Sequence, residues 1–265
     1  MIKKILKSIL PPFIPNCYFW LKNRKYGWTG SYHNWDEALS HTTTYSDNEI
    51  YTKVISSARR VFSGEYPYER DGVLFSKVDY SWPLLSGLLF SAAKNSSLTV
   101  LDFGGGMGSS YFQNLAFIRR VKSYSWAVVE QKKFYEIAKK DFTLEYLSFY
   151  NDINTCIEAT NPNTLLLSSV LQYLERPFEI LDKLLHHKFS TIIIDRTPIT
   201  KDREDVIKIQ NVSPEIYSAS YPCWFFSESL LYTYFRNKNY KIIEEFDTSP
   251  GKPFKGLILE HNYEK

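Results

Sequence analysis

The chain has 265 residues, is 44% hydrophobic and 17% aromatic, and carries a net charge of +3. That length and apolar content can bury a full core and suit one α/β domain with an extension. Cys17, Cys156 and Cys223 lie far apart with no C-x-x-C, which excludes a disulfide framework and a zinc site and fits a reduced compartment.

Residues 1–28 carry six basic side chains (Lys3, Lys4, Lys7, Lys22, Arg24, Lys25) and no acid. Apolar residues at 2, 5, 6, 9 and 10 form a helical stripe opposite lysines, and Pro11-Pro12 ends it. The segment lacks the apolar core and small-residue cleavage site of a secretory signal. No stretch approaches the ~20 apolar residues of a spanning helix. With Phe13, Tyr18, Phe19, Trp20 and Trp28, the stripe suits weak peripheral contact with an anionic inner membrane, at roughly 1 kcal/mol per basic residue. Packing on the protein's own body fits it equally. The expected location is therefore cytoplasmic, with or without that membrane contact. Residues 1–95 show no strand–helix alternation and predict a helical and loop extension that caps a cleft.

From residue 96 the pattern changes. Strand 98–103 leads to helix 109–121, strand 126–130 to helix 132–140, and strand 144–149 to a short helix near 152–159. Strand 164–167 leads to a helix entered through Pro177 and closing near His187. Strand 191–195 is followed by a long irregular insertion, 197–226, and then helix 228–238. Strands 240–244 and 256–260 close the chain across Ser249-Pro-Gly-Lys-Pro253. Five β–α units and a terminal strand pair predict a Rossmann-like, seven-stranded, doubly wound sheet over 96–265.

The connection after the first of these strands is the most informative segment. Leu98-Thr-Val-Leu101 reads as a buried strand; Asp102 follows, then Gly104, Gly106 and Gly108 in G-x-G-x-G spacing, with Gly105 between. A dinucleotide fingerprint would place its third glycine at position 109, which is Ser109, and would not put an acid before the first. The pattern resembles motif I of class I S-adenosylmethionine (SAM)-dependent methyltransferases, whose sheet has seven strands with the last antiparallel. The resemblance implies that Asp102 and residues 104–108 hold the methionine part of SAM, close to a helix N-terminus. Glu130, closing the next strand, would accept the ribose hydroxyls; the alternative is a solvated acid. Asp152 either receives the adenine amino group or caps the next helix. Ser169 and Gln172 follow the fourth strand beside the cofactor, where Gln172 contacts it or faces solvent.

Several segments together resemble a little-characterised family of bacterial SAM-dependent methyltransferases. They are Leu101-Asp-Phe-Gly-Gly-Gly-Met-Gly-Ser-Ser-Tyr111, Trp126-Ala-Val-Val-Glu-Gln131, Ser168-Ser-Val-Leu-Gln-Tyr173, Ile194-Asp-Arg-Thr-Pro198 and Ile216-Tyr-Ser-Ala-Ser-Tyr-Pro-Cys-Trp224, with Tyr68-Glu-Arg-Asp71 and Tyr80-Ser-Trp-Pro83 upstream. Members tend to be encoded among lipopolysaccharide, O-antigen or capsule genes. That implies methyl transfer to a sugar of a glycan, or of its lipid-linked or nucleotide-activated precursor. It does not identify the sugar, and neither base nor oligomeric state follows from it.

A sugar hydroxyl is a poor nucleophile and benefits from a base. Asp195, at the end of the fifth strand, is the nearest carboxylate, unless Arg196 locks it in an ion pair; Tyr217 is the second candidate. Tyr80, Trp82, Arg196, Tyr221 and Trp224 are the expected acceptor contacts, since aromatic faces suit the C–H faces of pyranoses. No metal cluster is expected. An oxidoreductase of nucleotide sugars would place Tyr-x-x-x-Lys after the fifth strand. Tyr18/Lys22, Tyr135/Lys139 and Tyr234/Lys238 have that spacing, but none follows the fifth strand directly, and the glycine spacing is wrong. A nucleic-acid N-methyltransferase would carry Asn/Asp-Pro-Pro-aromatic after the fourth, where Ser168-Ser169-Val170 stands; no nucleic-acid partner is expected. A non-catalytic partner protein on the same fold stays open, because fold does not settle activity.

Overall fold

The computed structural model describes residues 26–42, 47–213, 219–248 and 253–262. The basic stripe of residues 1–25, Cys17 and Tyr217 lie outside them. Strand β1 (Gly27–Tyr32) precedes helices α1 (Trp35–Ser40) and α2 (Asp47–Phe62). Strands β2 (Tyr68–Arg70) and β3 (Val73–Phe75) form a hairpin, followed by α3 (Trp82–Asn95). Then come β4 (Leu98–Phe103), α4 (Ser109–Ile118), β5 (Tyr124–Val129), α5 (Lys132–Asp141), β6 (Leu147–Tyr150) and α6 (Ile153–Thr160). The remainder is β7 (Thr164–Ser168), α7 (Pro177–Leu185), β8 (Thr191–Thr200), β9 (Val206–Asn211), β10 (Ser220–Ser227), α8 (Glu228–Asn237), β11 (Tyr240–Asp247) and β12 (Phe254–His261).

The chain divides into two compact units. The smaller comprises residues 1–45 and 207–223, the larger 46–206 and 224–265. In the smaller unit β1 pairs antiparallel with β9, and Asn34 caps α1 by accepting the Glu37 N–H at 2.8 Å. The insertion after the fifth strand of the large sheet is thus built from strands, not irregular as its Pro- and Tyr-rich sequence suggests. Likewise, among the described residues the first 95 positions hold three strands among their helices.

In the larger unit the strand order is β6-β5-β4-β7-β8-β12-β11, all parallel except β12, which runs antiparallel to both β8 and β11. Both faces of this sheet are covered, which is why its strands read as continuous apolar runs. Alternate residues serve opposite cores. Leu101, Ala127, Leu165, Leu167, Ile192 and Ile194 pack on one side, and Val100, Trp126, Val128, Leu166 and Ile193 on the other. Each Leu, Ile or Val among them contributes roughly 1.5–3 kcal/mol on burial. The third strand is shorter than the apolar run 144–149 suggests. Leu144 and Leu147 exchange backbone hydrogen bonds in a tight turn, leaving Leu144 and Tyr146 exposed.

One irregularity positions functional groups. Lys255 pairs with Thr197 but Leu257 with Ile194, so Asp195 and Arg196 together face Gly256. This two-against-one bulge puts Arg196 at φ 51°, and β8 runs on to Thr200 instead of ending at Asp195. Gly256 is required opposite it, because a Cβ there would overlap the Phe246 ring and lie 2.8 Å from the Ile194 carbonyl oxygen. Gly256→Ala is therefore expected to cost about 1–3 kcal/mol, read as a loss of several degrees in Tm. An unchanged Tm would show that Phe246 moves aside freely.

Candidate functional site

The turn from β4 to α4 is held by backbone contacts. The Gly104 N–H donates to the Val129 carbonyl at 2.9 Å, and Gly108 to Gly105 at 3.1 Å. Gly104, Gly106 and Gly108 have φ of 70°, 59° and 84°, a region that disfavours side chains. A Cβ at Gly104 would overlap Val170, and one at Gly105 would overlap the Asp102 carboxyl. At Gly106 a Cβ would meet nothing within 4 Å, so this glycine fronts open space.

Asp102 lies fully buried beneath that turn. The Trp126 indole N–H donates to its Oδ2 at 3.0 Å, while Oδ1 has no partner. Burial pushes its carboxyl up to about 7, opposed by the Trp126 hydrogen bond and raised further by Glu130. Between its ordinary value of 3.8 and about 7, the folded chain holds a proton that the unfolded chain has lost. This group's contribution to stability therefore declines as pH rises through that window. A cation placed against Oδ1 would reverse the effect.

Glu130, just beyond β5, accepts the Gly106 N–H at 3.1 Å through Oε1 and the Gln131 N–H at 2.8 Å through Oε2. Burial raises its carboxyl above the usual range, against those two donors. It is thus tied to the glycine loop, not a freely solvated strand-end acid. Asp152 takes the capping role in this structure. Its Oδ1 accepts the Thr155 N–H at 2.8 Å and the Thr155 hydroxyl at 2.9 Å, which holds its carboxyl below the ordinary range.

At the carboxyl ends of β7 and mid-β8 a second polar cluster forms. Ser168 donates to Asp195 Oδ2 at 2.7 Å, and the Arg196 Nε–H donates to the same oxygen at 3.2 Å. Arg196 also reaches Ser168 Oγ at 3.2 Å. The ion pair weighed from sequence is present, yet Asp195 Oδ1 stays buried and unpartnered. Ser169, at φ 57°, donates its N–H to the Asp195 carbonyl. Gln172 does not face solvent: it is fully buried, donating to Ser169 Oγ and the Arg196 carbonyl, both at 3.1 Å, with Oε1 unpartnered.

Beside this cluster opens a cleft of about 270 Å³, lined by Asp195 and Arg196 and by Arg70, Asp79, Tyr80, Trp82, Gln113, Asp247 and Thr248 among others. Tyr80 and Trp82 stand 5.0 Å apart between ring centres, each with an edge contact to Phe117, and Trp82 is 58% exposed. The segment is anchored from both ends. Gln113 of α4 donates to the Asp79 carbonyl, and buried Glu69 accepts the Ser109 hydroxyl at 2.5 Å and the Gly72 N–H at 2.8 Å.

Three of the expected acceptor contacts, Tyr80, Trp82 and Arg196, thus line one cleft with Asp195. Trp224 is placed elsewhere: its indole N–H is satisfied by the Leu174 carbonyl at 3.0 Å and its ring stacks on Phe226, so packing explains its size and apolarity. Tyr221 lies half-buried on β10 in the smaller unit. Arg70, Asp79, Gln113, Ser168, Asp247 and Thr248 were not singled out as ligands from sequence. Arg70 sits inside the quoted Tyr68–Asp71 segment; Asp247 and Thr248 carried no signal, because β11 extends beyond the apolar run 240–244. Among the described residues, no cluster of three or more His, Cys, Asp or Glu could hold a metal ion, and no helix is long and apolar enough to cross a membrane.

No family model and no curated protein matches the chain. Among solved structures it is similar to the N-terminal domain of EvdMO1, determined in the presence of S-adenosylhomocysteine and D-fucose, at 14% identity, covering 82% of this chain and 96% of that one, with a TM-score of 0.46. It is similar to a SAM-dependent methyltransferase from Clostridium acetobutylicum ATCC 824 at 12% identity, covering 80% and 99%, TM-score 0.47. It is also similar to the glycopeptide N-methyltransferase MtfA complexed with SAM, at 10% identity, covering 67% and 93%, TM-score 0.49. The strand order and the single reversed strand make the larger unit a Rossmann-like fold of the class I methyltransferase type.

Proposed function

We propose that the protein is a SAM-dependent methyltransferase that O-methylates a sugar of a surface polysaccharide or its precursor. One observation carries the reading: three buried acceptor atoms without donors, Asp102 Oδ1, Gln172 Oε1 and Asp195 Oδ1, surround the carboxyl edge of the sheet. Buried acceptors are rarely left unpaired, so such a set calls for a donor-rich ligand. The ammonium of SAM and the hydroxyl of an acceptor are donors of that kind. The glycine turn fits the cofactor on its own terms, with Gly106 fronting open space and Glu130 fixed beside it.

In this reading Asp102 holds the cofactor's ammonium, residues 104–108 border its methionine part, and Glu130 accepts its ribose hydroxyls. Asp152, Ser169 and Gln172 complete the wall. Bound there, SAM supplies a methyl group on an activated sulfonium for in-line displacement. Positioning of the acceptor provides much of the acceleration. Asp195 offers Oδ1 to the acceptor hydroxyl and takes its proton as the oxygen–carbon bond forms, while Ser168 and Arg196 hold its other oxygen. Tyr80 and Trp82 present ring faces to the sugar, and Tyr217 and Tyr221 on the insertion are further candidates for acceptor contact. The sugar specificity rests on the resemblance of the quoted segments and on the mixture of exposed aromatics with acids and arginines in the cleft. Peripheral membrane contact through residues 1–28 belongs to the same proposal, since a lipid-linked acceptor would lie at that surface.

Calorimetry with S-adenosylhomocysteine tests the cofactor half. Micromolar binding is expected, and its pH dependence is diagnostic. With Asp102 titrating at about 7 in the free protein, a bound ammonium must displace a proton at lower pH. Affinity should then be about tenfold weaker at pH 6 than at pH 8, and Asp102→Asn should flatten the profile. A flat wild-type profile would remove Asp102 from the cofactor site.

A further inference from the structure

We propose that Arg70 is the receptor for an anionic group, a carboxylate or a phosphate, on the sugar acceptor. The inference rests on reading the cleft as the acceptor side of a methyltransferase. Arg70 ends β2 and lines the cleft with Arg196. Its guanidinium lies over the rings of Tyr68, at 5.7 Å, and Phe75, at 5.8 Å, which themselves stack at 4.6 Å. Both distances fall within cation–π reach, so the two rings help to place the guanidinium at the cleft. Among the described residues no carboxylate pairs with it and no acceptor takes its N–H groups, whereas Arg196 is engaged by Asp195 and Ser168.

Two guanidiniums so placed repel. Burial first, and then Arg196's like charge, lowers the proton affinity of Arg70; the group nonetheless stays cationic. Asp79 and Asp247 also line the cleft, but both are exposed and neither forms an ion pair with Arg70. A half-buried arginine beside a second one, with no partner for its fork among the described residues, suits bidentate capture of a planar or tetrahedral anion. The anion is assigned to the acceptor because none of residues 102–108 lines this cleft, while Asp195, Tyr80 and Trp82 do.

The test uses the full-length protein with S-adenosylhomocysteine present, titrated with glucose, glucuronic acid, glucose 1-phosphate and inorganic phosphate. At least one anionic probe should bind about tenfold or more tightly than glucose. A preference for glucuronic acid identifies a carboxylate, and one for the phosphates identifies a phosphoryl group. Arg70→Gln should abolish that preference and leave S-adenosylhomocysteine affinity and Tm unchanged. Arg70→Lys, which keeps the charge but not the fork, should retain part of it. Equal binding of all four probes, or a preference that survives Arg70→Gln, would overturn the proposal. A fall in S-adenosylhomocysteine affinity on Arg70→Gln would overturn it too, by assigning the anion to the cofactor. Wild-type protein that binds anions but not S-adenosylhomocysteine would refute the methyl-transfer reading and leave the anion receptor standing.

Discussion

Gly106→Val is expected to remove binding of SAM and S-adenosylhomocysteine, weakening affinity by about 100-fold or more, equivalent to about 2.7 kcal/mol. Two effects act together. A branched residue at φ 59° is strained, and its side chain enters the open space in front of the turn, where among the described residues no atom beyond its chain neighbours lies within 4 Å of the added Cβ. The added methyl groups would displace ligand, not protein, so the fold should tolerate the change better than the site does. Gly105→Ala tests a different contact, because its Cβ collides with the Asp102 carboxyl. It should weaken binding by moving that acid. Calorimetry on both variants, with melting curves as a folding control, decides the matter. Gly106→Val with wild-type affinity would mean that the cofactor does not lie over this turn.

Asp195→Asn should leave S-adenosylhomocysteine affinity intact and lower kcat on a sugar acceptor by about 10²–10⁴-fold, the range of a general base. Asparagine keeps the shape and can still accept from Ser168 and Arg196, whose contacts to Oδ2 measure 2.7 and 3.2 Å. What it loses is the negative charge and the free acceptor at Oδ1. Tyr217→Phe is the companion measurement on the insertion. A loss below about tenfold in both variants would place the base elsewhere, or show that holding the hydroxyl in line is sufficient.

The glycine turn was legible because its requirement is local. Positive φ at three positions within five residues can be read from Gly104, Gly106 and Gly108 alone. The strands of the large sheet were legible for a related reason, since apolar runs such as Leu165–Leu167 and Ile192–Ile194 bury both faces. Where the same signal failed, at 144–149, a backbone turn interrupted an apolar run that its composition does not mark. Pro- and Tyr-rich sequence likewise concealed β10, whose buried residues do not alternate, whereas in β9 a short alternation, with Ile207 and Ile209 buried on either side of Lys208, was legible but lay inside a segment read as irregular.

Sequence by itself thus determined the α/β order, the turn after β4 and the acid Glu130 that closes on it, all features settled within one strand–turn–helix unit. Tertiary structure alone decided which of the remaining side chains share the cleft beside Asp195. Arg70 and Asp195 are remote in the chain yet line one cleft, and the β2–β3 hairpin that carries Arg70 is tied to α4 through Glu69 and Ser109 and to α2 through the Ser57 hydroxyl and the Gly72 carbonyl. The aim of Asp195 and Arg196 likewise depends on the register of β12 against β8, where one extra residue turns the chain at φ 51°. Backbone conformation is encoded by neighbours a few residues away. Register and the convergence of loops depend on which strands become partners, and no local pattern carries that choice.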